Sequence, residues 1–326
     1  MTFDYIIGNP PYQNNIQRSS NFAPPIYPNF IDSAEQLNPK AITMIIPSRW
    51  FNGGVNLGGF RSRMINGKHI SKMVNYTNAN DIFNNIELMG GVNYFLWERS
   101  YSLDCIYTDI SIKEKSTVRK KLNEFNIIIP YNRALTIIRK VTKQSSGYMN
   151  TIVSTRNFFA KRNCEYKDKQ SKFTNDGMLL YTTNGFQSIK PSQINKGSAF
   201  VSKYKVICSK IRPGNDYRKG QYKLFSTLKI LKPNEICTDS YLVVSAFDNM
   251  ECAINLAEYM RTKFVRFLIV QADNSINISR GNFAFVPIED FSESWSDDKL
   301  YDKYDLTDDE IEFIDSLILP LEINYQ

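Results

Sequence analysis

The chain has 326 residues, of which 42% are hydrophobic, and a net charge of +7, which suits about two globular domains. No apolar stretch approaches the roughly 18 residues of a membrane span, and no signal peptide precedes the first predicted strand. The five cysteines are scattered without a Cys-x-x-Cys pair and His69 is the single histidine, which disfavours disulfides, zinc sites and histidine-based nucleophilic catalysis. We therefore expect a cytoplasmic protein with reduced thiols.

The chain begins with an apolar strand that runs directly into a turn of two prolines. Residues 3–8 predict a short buried strand, and Asn9-Pro10-Pro11-Tyr12 follows it. The prolines hold this turn extended and exclude helix. Because ligands bind beyond the carboxyl ends of strands in α/β sheets, the tetrapeptide is predicted to lie at a binding site.

Predicted helices and strands alternate over the next hundred residues. Helices are expected over 27–37 and 60–66, and strands over 41–47, 70–76, 92–97 and 103–110. The strand over 41–47 is apolar on both faces, which is typical of a fully buried strand. This alternation predicts an α/β fold in which residues 1–115 form part of a doubly wound sheet.

The remainder of the chain divides into three predicted segments. Residues 116–145 are predicted to form a connector, with a helical pattern near 134–141 and a linker candidate at 144–147. Residues 146–290 predict an α+β domain, with short strands followed by one long amphipathic helix over 250–267. Residues 291–326 predict an acidic helical clip in which Thr307 and Glu310 form a capping box.

Basic residues are concentrated outside the acidic end of the chain. Residues 296–322 hold ten acids and two bases, so the rest holds 38 bases and 23 acids, a net of +15. Between Lys190 and Lys232 there are eleven bases and one acid, interleaved with aromatic residues. This composition favours contact with nucleic-acid phosphates over a merely solvated face. The candidate DNA-binding residues are Arg156, Lys161, Arg162, Lys205, Lys210, Arg212, Arg218 and Lys219.

The motifs resemble those of a known enzyme family. The tetrapeptide at 9–12, Ile-Pro-Ser-Arg-Trp-Phe at 46–51, and Asp-Ile-Phe at 81–83 before Gly-Gly-Val at 90–92 resemble gamma-type adenine-specific DNA methyltransferases of restriction–modification systems. The resemblance covers nearly the whole chain. It implies the second half of a Rossmann-like methyltransferase sheet followed by an α+β target-recognition domain that binds double-stranded DNA.

The resemblance also implies roles for individual residues. The side-chain oxygen of Asn9 and the carbonyl of Pro10 would accept hydrogen bonds from the amino group of a flipped adenine. Tyr12 would stack on that base and Phe83 would contact its other side. The alternatives are a rigid turn without chemistry and, for Phe83, an ordinary core aromatic. Trp50 and Phe51 are weaker candidates for lining the same pocket or the cofactor site.

The cofactor half of the family is missing from the motifs. The family binds S-adenosylmethionine with a glycine-rich loop of the type Gly-x-Gly, which does not occur here. We therefore expect most of that site outside this chain, in an N-terminal methyltransferase polypeptide supplied in trans, and the first strand left as a bare apolar edge. A split gene, a frameshift or a start codon placed too late would each explain this arrangement.

Two other functions are alternatives to methylation. A degenerate methyltransferase could retain sequence-specific DNA binding without turnover, and this alternative stays open. Nuclease activity is disfavoured, because the Glu-Tyr-Lys triplet at 165–167 has no Pro-Asp at suitable spacing before it and is expected by chance.

Overall fold

The computed structural model describes residues 3–14, 23–54, 56–83, 88, 90–111, 114–166, 177–213, 220–272, 275 and 277–321. These residues form two compact units. The first comprises the described residues up to Leu135 together with Gly220 and Ser275, and the second comprises the others. Within the described ranges, no helix is long and apolar enough to cross a membrane.

The first unit is built on a mixed six-stranded sheet. Its strands are β1 (Tyr5–Gly8), β2 (Ala41–Pro47), β3 (Ile70–Tyr76), β4 (Val92–Glu98), β5 (Cys105–Ile110) and β6 (Lys115–Lys120). Their spatial order is β1-β2-β4-β3-β5-β6, with β1–β2 and β3–β5 parallel and the other pairs antiparallel. Strands β1, β2, β3 and β5 therefore run in one direction, so their carboxyl ends lie at the same edge of the sheet.

Two helices cover one face of this sheet. They are α1 (Tyr27–Gln36) and α2 (Gly58–Asn66). Ile31 of α1 and Met64 of α2 share a hydrophobic core with Ile42, Ile46 and Phe95, which project from alternate positions of β2 and from β4. The predicted α/β fold is confirmed, and the bounds predicted for β2 and β3 coincide with the observed ones.

Strand β1 lies at the outer edge of the sheet, as expected. Among the described strands it pairs with β2 alone. Ile6 packs against the core, whereas Tyr5 and Ile7 on the opposite face are 68% and 82% exposed. Folded proteins usually cover or charge such an edge, and this one is apolar and open within the described residues.

Strand β6 was not predicted, because it lies in the segment expected to be a connector. Its sequence, Lys-Ser-Thr-Val-Arg-Lys, has no apolar run that would indicate a strand. Contacts with residues outside the strand stabilise β6 instead. Thr117 is hydrogen-bonded to Thr108 of β5, and the buried ammonium of Lys120 donates to the carbonyl of Ile129 at 2.8 Å.

The second unit contains α3 (Ala134–Gln144) from Thr136 onward and two three-stranded sheets. One sheet consists of β9 (Tyr204–Ser209), β10 (Leu228–Leu231) and β12 (Tyr241–Phe247), in the antiparallel order β10-β9-β12. The other consists of β7 (Met178–Thr182), β8 (Gly185–Ile189) and β11 (Glu235–Cys237), in the order β11-β7-β8. The short strands β8 and β11 were not predicted from the sequence.

The prediction of one helix over 250–267 is wrong. The structure has α4 (Met250–Arg261) and α5 (Lys263–Gln271), separated at Thr262. The Thr262 hydroxyl caps α5, and the carboxylate of Asp297 accepts hydrogen bonds from the backbone N–H groups of Lys263 and Phe264 at 3.0 and 2.9 Å. The capping group comes from more than thirty residues away, which local periodicity cannot indicate.

The acidic end of the chain forms α6 (Asp297–Lys303) and α7 (Asp308–Leu317). The predicted capping box of Thr307 and Glu310 is confirmed. Glu310 also forms an ion pair with Lys140 at 2.7 Å, and Asp315 forms one with Lys263 at 2.6 Å. The acidic residues of this end are thus partly neutralised within the second unit.

Candidate active site and nucleic-acid interface

The tetrapeptide lies in the turn that follows β1, at the edge where the parallel strands end. Asn9 is exposed, Pro10 is buried and Tyr12 is half-buried. The carbonyl of Tyr12 accepts a hydrogen bond from the N–H of Ile26 at 3.2 Å, and Gln13 next to it forms a β-bridge with a residue just before α1. The turn is thereby fixed at both ends.

The turn presents hydrogen-bond acceptors that the described residues do not use. Neither the side chain of Asn9 nor the carbonyl of Pro10 has a hydrogen-bond partner among those residues. Pro10 and Pro11 have no N–H, so no backbone donor of theirs competes for these oxygens. The hydroxyl of Tyr12 is buried without a partner, and burial raises the pKa of Tyr12, which keeps this side chain neutral.

A buried hydrogen-bond network joins the strand ends at this edge, and sequence reasoning missed it. The hydroxyl of Ser48, just after β2, donates to Oδ1 of Asn75 in β3 at 2.6 Å. Nδ2 of Asn93 in β4 donates to Ser48 Oγ and to the carbonyl of Ile46, both at 3.2 Å. The polar residues at the ends of three predicted strands were the sequence feature that could have indicated this network. The network fixes the spacing of three strands at the candidate site.

The approach of β4 to β3 depends on Gly91. This residue has φ +76°, and a Cβ atom built there would lie 2.0 Å from the carbonyl oxygen of Tyr76. Its own carbonyl accepts the N–H of Ser48 at 3.0 Å. The glycine therefore permits a close contact between strands that any side chain would prevent.

Phe83 lies beyond the carboxyl end of β3, at the same edge as Asn9. It is half-buried, and its N–H donates to the carbonyl of Ala79 at 2.9 Å. Strands β2 and β4 stand between β1 and β3, which corresponds to roughly 14 Å between the two loops. The two residues thus follow strands whose carboxyl ends lie at one edge of the sheet.

Trp50 and Phe51 are core residues. Both have no exposed surface, and Trp50 packs edge-on against Phe51 and Phe60 with ring centroids 5.1 and 5.5 Å apart. Both side chains are enclosed by other described residues. Their role in lining a ligand site stays a prediction.

The glycine pairs near α2 do not form a cofactor cradle. A Cβ atom on Gly54, which has φ +90°, would lie 2.3 Å from the side chain of Leu57, so this glycine serves a tight turn. Gly58 and Gly59 begin α2 with open space beside them. Neither pair has the Gly-x-Gly pattern expected of the loop that binds S-adenosylmethionine. Metal-binding clusters of His, Cys, Asp and Glu are likewise absent from the described ranges.

Three of the predicted DNA-binding residues in the second unit are accessible. Arg156 and Arg162 are exposed, and Lys210 is half-buried. Two more, Arg218 and Lys219, lie outside the described residues. The remaining three are buried, and for them the prediction of a surface role has to be corrected.

The buried cations contact the protein itself. The ammonium of Lys161 donates to the carbonyl of Gln193 at 2.7 Å. The Arg212 guanidinium lies 5.6 Å from the centroid of the Tyr222 ring. Lys205 has no exposed surface, and its ammonium lies within hydrogen-bond distance, 2.5–3.1 Å, of four backbone carbonyls, those of Phe200, Val201, Lys203 and Lys232. Folding places these side chains inside, where they hold loops together.

Comparison with known proteins bears on the first part of the chain. Residues 1–83 match the family model described as Eco57I restriction-modification methylase. An uncharacterized adenine-specific methylase of Mycoplasma pneumoniae is 37% identical over 121 residues, which are 36% of this chain and 29% of the relative. The matched part thus spans less than a third of that relative.

Solved structures of restriction–modification enzymes align over more of the chain. The type IIL enzyme MmeI in complex with DNA aligns over 86% of this chain and 46% of its own, with 9% identity and a TM-score of 0.46. The type IIG restriction endonuclease BpuSI aligns over 96% of this chain and 49% of its own, with 10% identity and a TM-score of 0.37. The first 83 residues are therefore similar to restriction–modification methylases, and a stretch of 121 residues is similar to an adenine-specific methylase.

Proposed function

We propose that this chain carries the catalytic turn and the DNA-recognition part of an adenine-N6-specific DNA methyltransferase of a restriction–modification system. The methyl donor, S-adenosylmethionine, would be held mostly by residues outside this sequence, in a separately encoded N-terminal half. One observation carries the proposal: Asn9 and Pro10 offer acceptors that no described residue uses, on a fixed turn at the carboxyl edge of the sheet.

The chemistry of adenine explains why acceptors are needed. The lone pair of the exocyclic nitrogen is delocalised into the ring, so this nitrogen is a weak nucleophile. Hydrogen bonds from its two amino protons to Asn9 Oδ1 and the Pro10 carbonyl favour a pyramidal nitrogen and stabilise the positive charge that develops on it. This is electrostatic complementarity to the transition state, and it requires no covalent intermediate.

The target atom is inaccessible in a stacked duplex, so the adenine has to leave the helix. Tyr12, half-buried and neutral, offers an aromatic face beside the acceptors. Phe83 is the candidate for the opposite face of the base, because its loop shares the same edge. Each stacking contact would contribute roughly 1–3 kcal/mol.

The exposed edge of β1 supports the requirement for a second segment. Tyr5 and Ile7 present apolar surface beside an edge that the described residues leave unpaired. A strand that paired with β1 would satisfy its free backbone groups and cover these side chains. That strand would belong to the half that binds the cofactor.

The test is reconstitution with the polypeptide that carries the glycine-rich loop, followed by quantification of N6-methyladenine in DNA by mass spectrometry. Asn9→Ala is expected to lower methylation by about 10²-fold or more while DNA binding is retained, since one transition-state hydrogen bond is removed. Asn66→Ala, an exposed amide at the end of α2, is the matched control and should have no effect. Equal activity of the Asn9→Ala variant and the wild type would refute the assignment.

The second candidate is a DNA-binding remnant without turnover. The missing cofactor loop favours it, because no described residue replaces that loop. It predicts salt-sensitive DNA binding by the wild type and no methylation after reconstitution. The same pair of assays therefore separates the two functions.

A further inference from the structure

Asp239 forms an ion pair with Arg156, an exposed cation of the second unit. Its Oδ2 lies 3.3 Å from Nη2 of Arg156, and the two side chains are 16% and 69% exposed. The aspartate is therefore embedded, whereas the arginine extends toward solvent. Only one edge of the guanidinium is engaged by this pair, which leaves its other donors available.

The same aspartate fixes the backbone on both sides of Arg162. Its N–H donates to the carbonyl of Lys161 at 2.8 Å, and its Oδ1 accepts the N–H of Asn163 at 2.9 Å. Asn163 is itself buried and bonded to Thr183. Arg162 thus projects from a turn that is held from inside, with its own side chain exposed.

Lys210 is the third cation near Asp239. Its N–H donates to the carbonyl of Ser240, the next residue after the aspartate, at 2.9 Å. Burial, reinforced by the charge of Arg156, lowers the pKa of Lys210, and Asp239 opposes this change. The backbone bond to Ser240 places Lys210 beside the segment that carries Asp239, and the charges of Arg156 and Asp239 both influence the pKa of the lysine.

We infer that Arg156, Arg162 and Lys210 form one phosphate-binding patch for duplex DNA, with Asp239 as the positioning residue that holds it together. This inference rests on the proposed function. The three cations and one carboxylate give these four side chains a formal net charge of +2. Asp239 holds the side chain of Arg156 and the backbone on both sides of Arg162. The carbonyl of the next residue, Ser240, holds the backbone of Lys210, so less conformational freedom is lost when phosphates bind.

The charge balance favours DNA phosphates as the ligand. The carboxylate already accepts two hydrogen bonds, one from a backbone N–H and one from Arg156, and it neutralises only one of three cations. Arginine and lysine donors on a preorganised surface suit phosphate oxygens.

The experiment measures binding of the full chain to a 30-base-pair duplex of mixed sequence by fluorescence anisotropy over a range of NaCl concentrations. Arg156→Gln, Arg162→Gln and Lys210→Gln are each expected to weaken binding and to reduce the slope of log K against log [NaCl] by about 0.9. Lys190→Gln and Lys196→Gln remove exposed cations elsewhere in the second unit and should leave the slope unchanged.

Two substitutions of Asp239 test the positioning role. Asp239→Asn removes the negative charge but keeps an oxygen for the N–H of Asn163, so binding should tighten by roughly two- to fivefold. Asp239→Ala also releases that N–H, so binding should weaken despite the more positive charge. A residue that served folding alone would not change affinity in opposite directions in these two variants.

The outcomes separate this inference from the proposed function. If the wild type binds DNA but the three cation variants behave like Lys190→Gln, the patch is not the contact surface, and the methylation assay still decides the function. If the wild type shows no salt-dependent binding, the inference is overturned. Asp239→Asn weakening binding as much as Asp239→Ala would refute the positioning role alone.

Discussion

Substitution of Gly91 offers the sharpest test of the strand arrangement at the candidate site. Gly91→Ala would place a methyl group 2.0 Å from the carbonyl oxygen of Tyr76 and 3.0 Å from that of Thr77. Real Cβ atoms do not approach backbone oxygens that closely, so the amino end of β4 has to move away from the carboxyl end of β3. That movement also stretches the hydrogen bond from Ser48 to the carbonyl of Gly91, now 3.0 Å long.

Three contributions set the size of the effect. An alanine at φ +76° costs about 1–2 kcal/mol relative to glycine. Displacing packed backbone costs about 1–3 kcal/mol. Weakening the Ser48 hydrogen bond costs about 0.5–1.5 kcal/mol. Since these terms share one displacement and are not fully additive, we expect the free energy of unfolding to fall by about 3–5 kcal/mol.

The assay is urea unfolding followed by tryptophan fluorescence. Trp50 and Trp97 lie in the first unit and Trp295 in the second, so a Trp295→Phe background restricts the signal to the first unit. Gly59→Ala is the matched control, because a Cβ there meets nothing within 4 Å and lies inside α2. Gly59→Ala should raise the free energy of unfolding by about 0.4–1 kcal/mol, because alanine lowers the conformational entropy of the unfolded chain.

The reasoning would be refuted if Gly91→Ala lowered the free energy of unfolding by less than 1 kcal/mol, or if both alanine variants shifted the urea midpoint equally. The first result would mean that the strand ends separate at little cost, so the contact does not define the geometry of the site. The second would mean that glycine content, and not close approach, determines the effect.

Two further predictions concern buried polar groups of the first unit. Burial raises the pKa of Asp109 to about 6, above its ordinary value of 3.8, so the folded state binds this proton more strongly than the unfolded state. The protonated carboxyl therefore contributes stability at low pH, and that contribution is lost as the pH rises from about 4 to 6. Asp109→Asn should flatten that dependence by about 2–3 kcal/mol in urea titrations at each pH, whereas the exposed Asp104→Asn should run parallel to the wild type. Ser48→Ala deprives two buried amides of a partner, so the free energy of unfolding should fall by about 2 kcal/mol. The exposed Ser33→Ala should lower it by less than about 0.5 kcal/mol, and equal urea midpoints for the two variants would contradict the network.

Local patterns predicted much of the first unit. The apolar runs of β2 and β3 define those strands without any knowledge of their neighbours, because a strand buried on both faces leaves a continuous apolar signature. The fixed turn at Asn9 could also be predicted, because proline fixes its own φ angle and restricts the backbone conformation of the residue before it. The capping box at Thr307 is complete within four residues.

Features that depend on residues distant in the sequence could not be predicted from local patterns. The break at Thr262 is stabilised by Asp297, and the network of Ser48 involves Asn75 and Asn93, which lie 27 and 45 residues away. The sequence supplied candidate DNA-binding cations but could not separate the buried Lys205 from the exposed Arg156, because the sequence around a cation does not reveal whether backbone carbonyls surround its side chain.

The sequence by itself determined the first strand and the rigid acceptor-bearing turn after it, because these follow from dihedral restriction and side-chain periodicity over a few residues. The family resemblance came from the motifs at 9–12, 46–51, 81–83 and 90–92. Only the tertiary structure decided which strand ends meet at the candidate site and which cations remain in solvent. Both depend on contacts between segments far apart in the chain, whose free energy is absent from any local window.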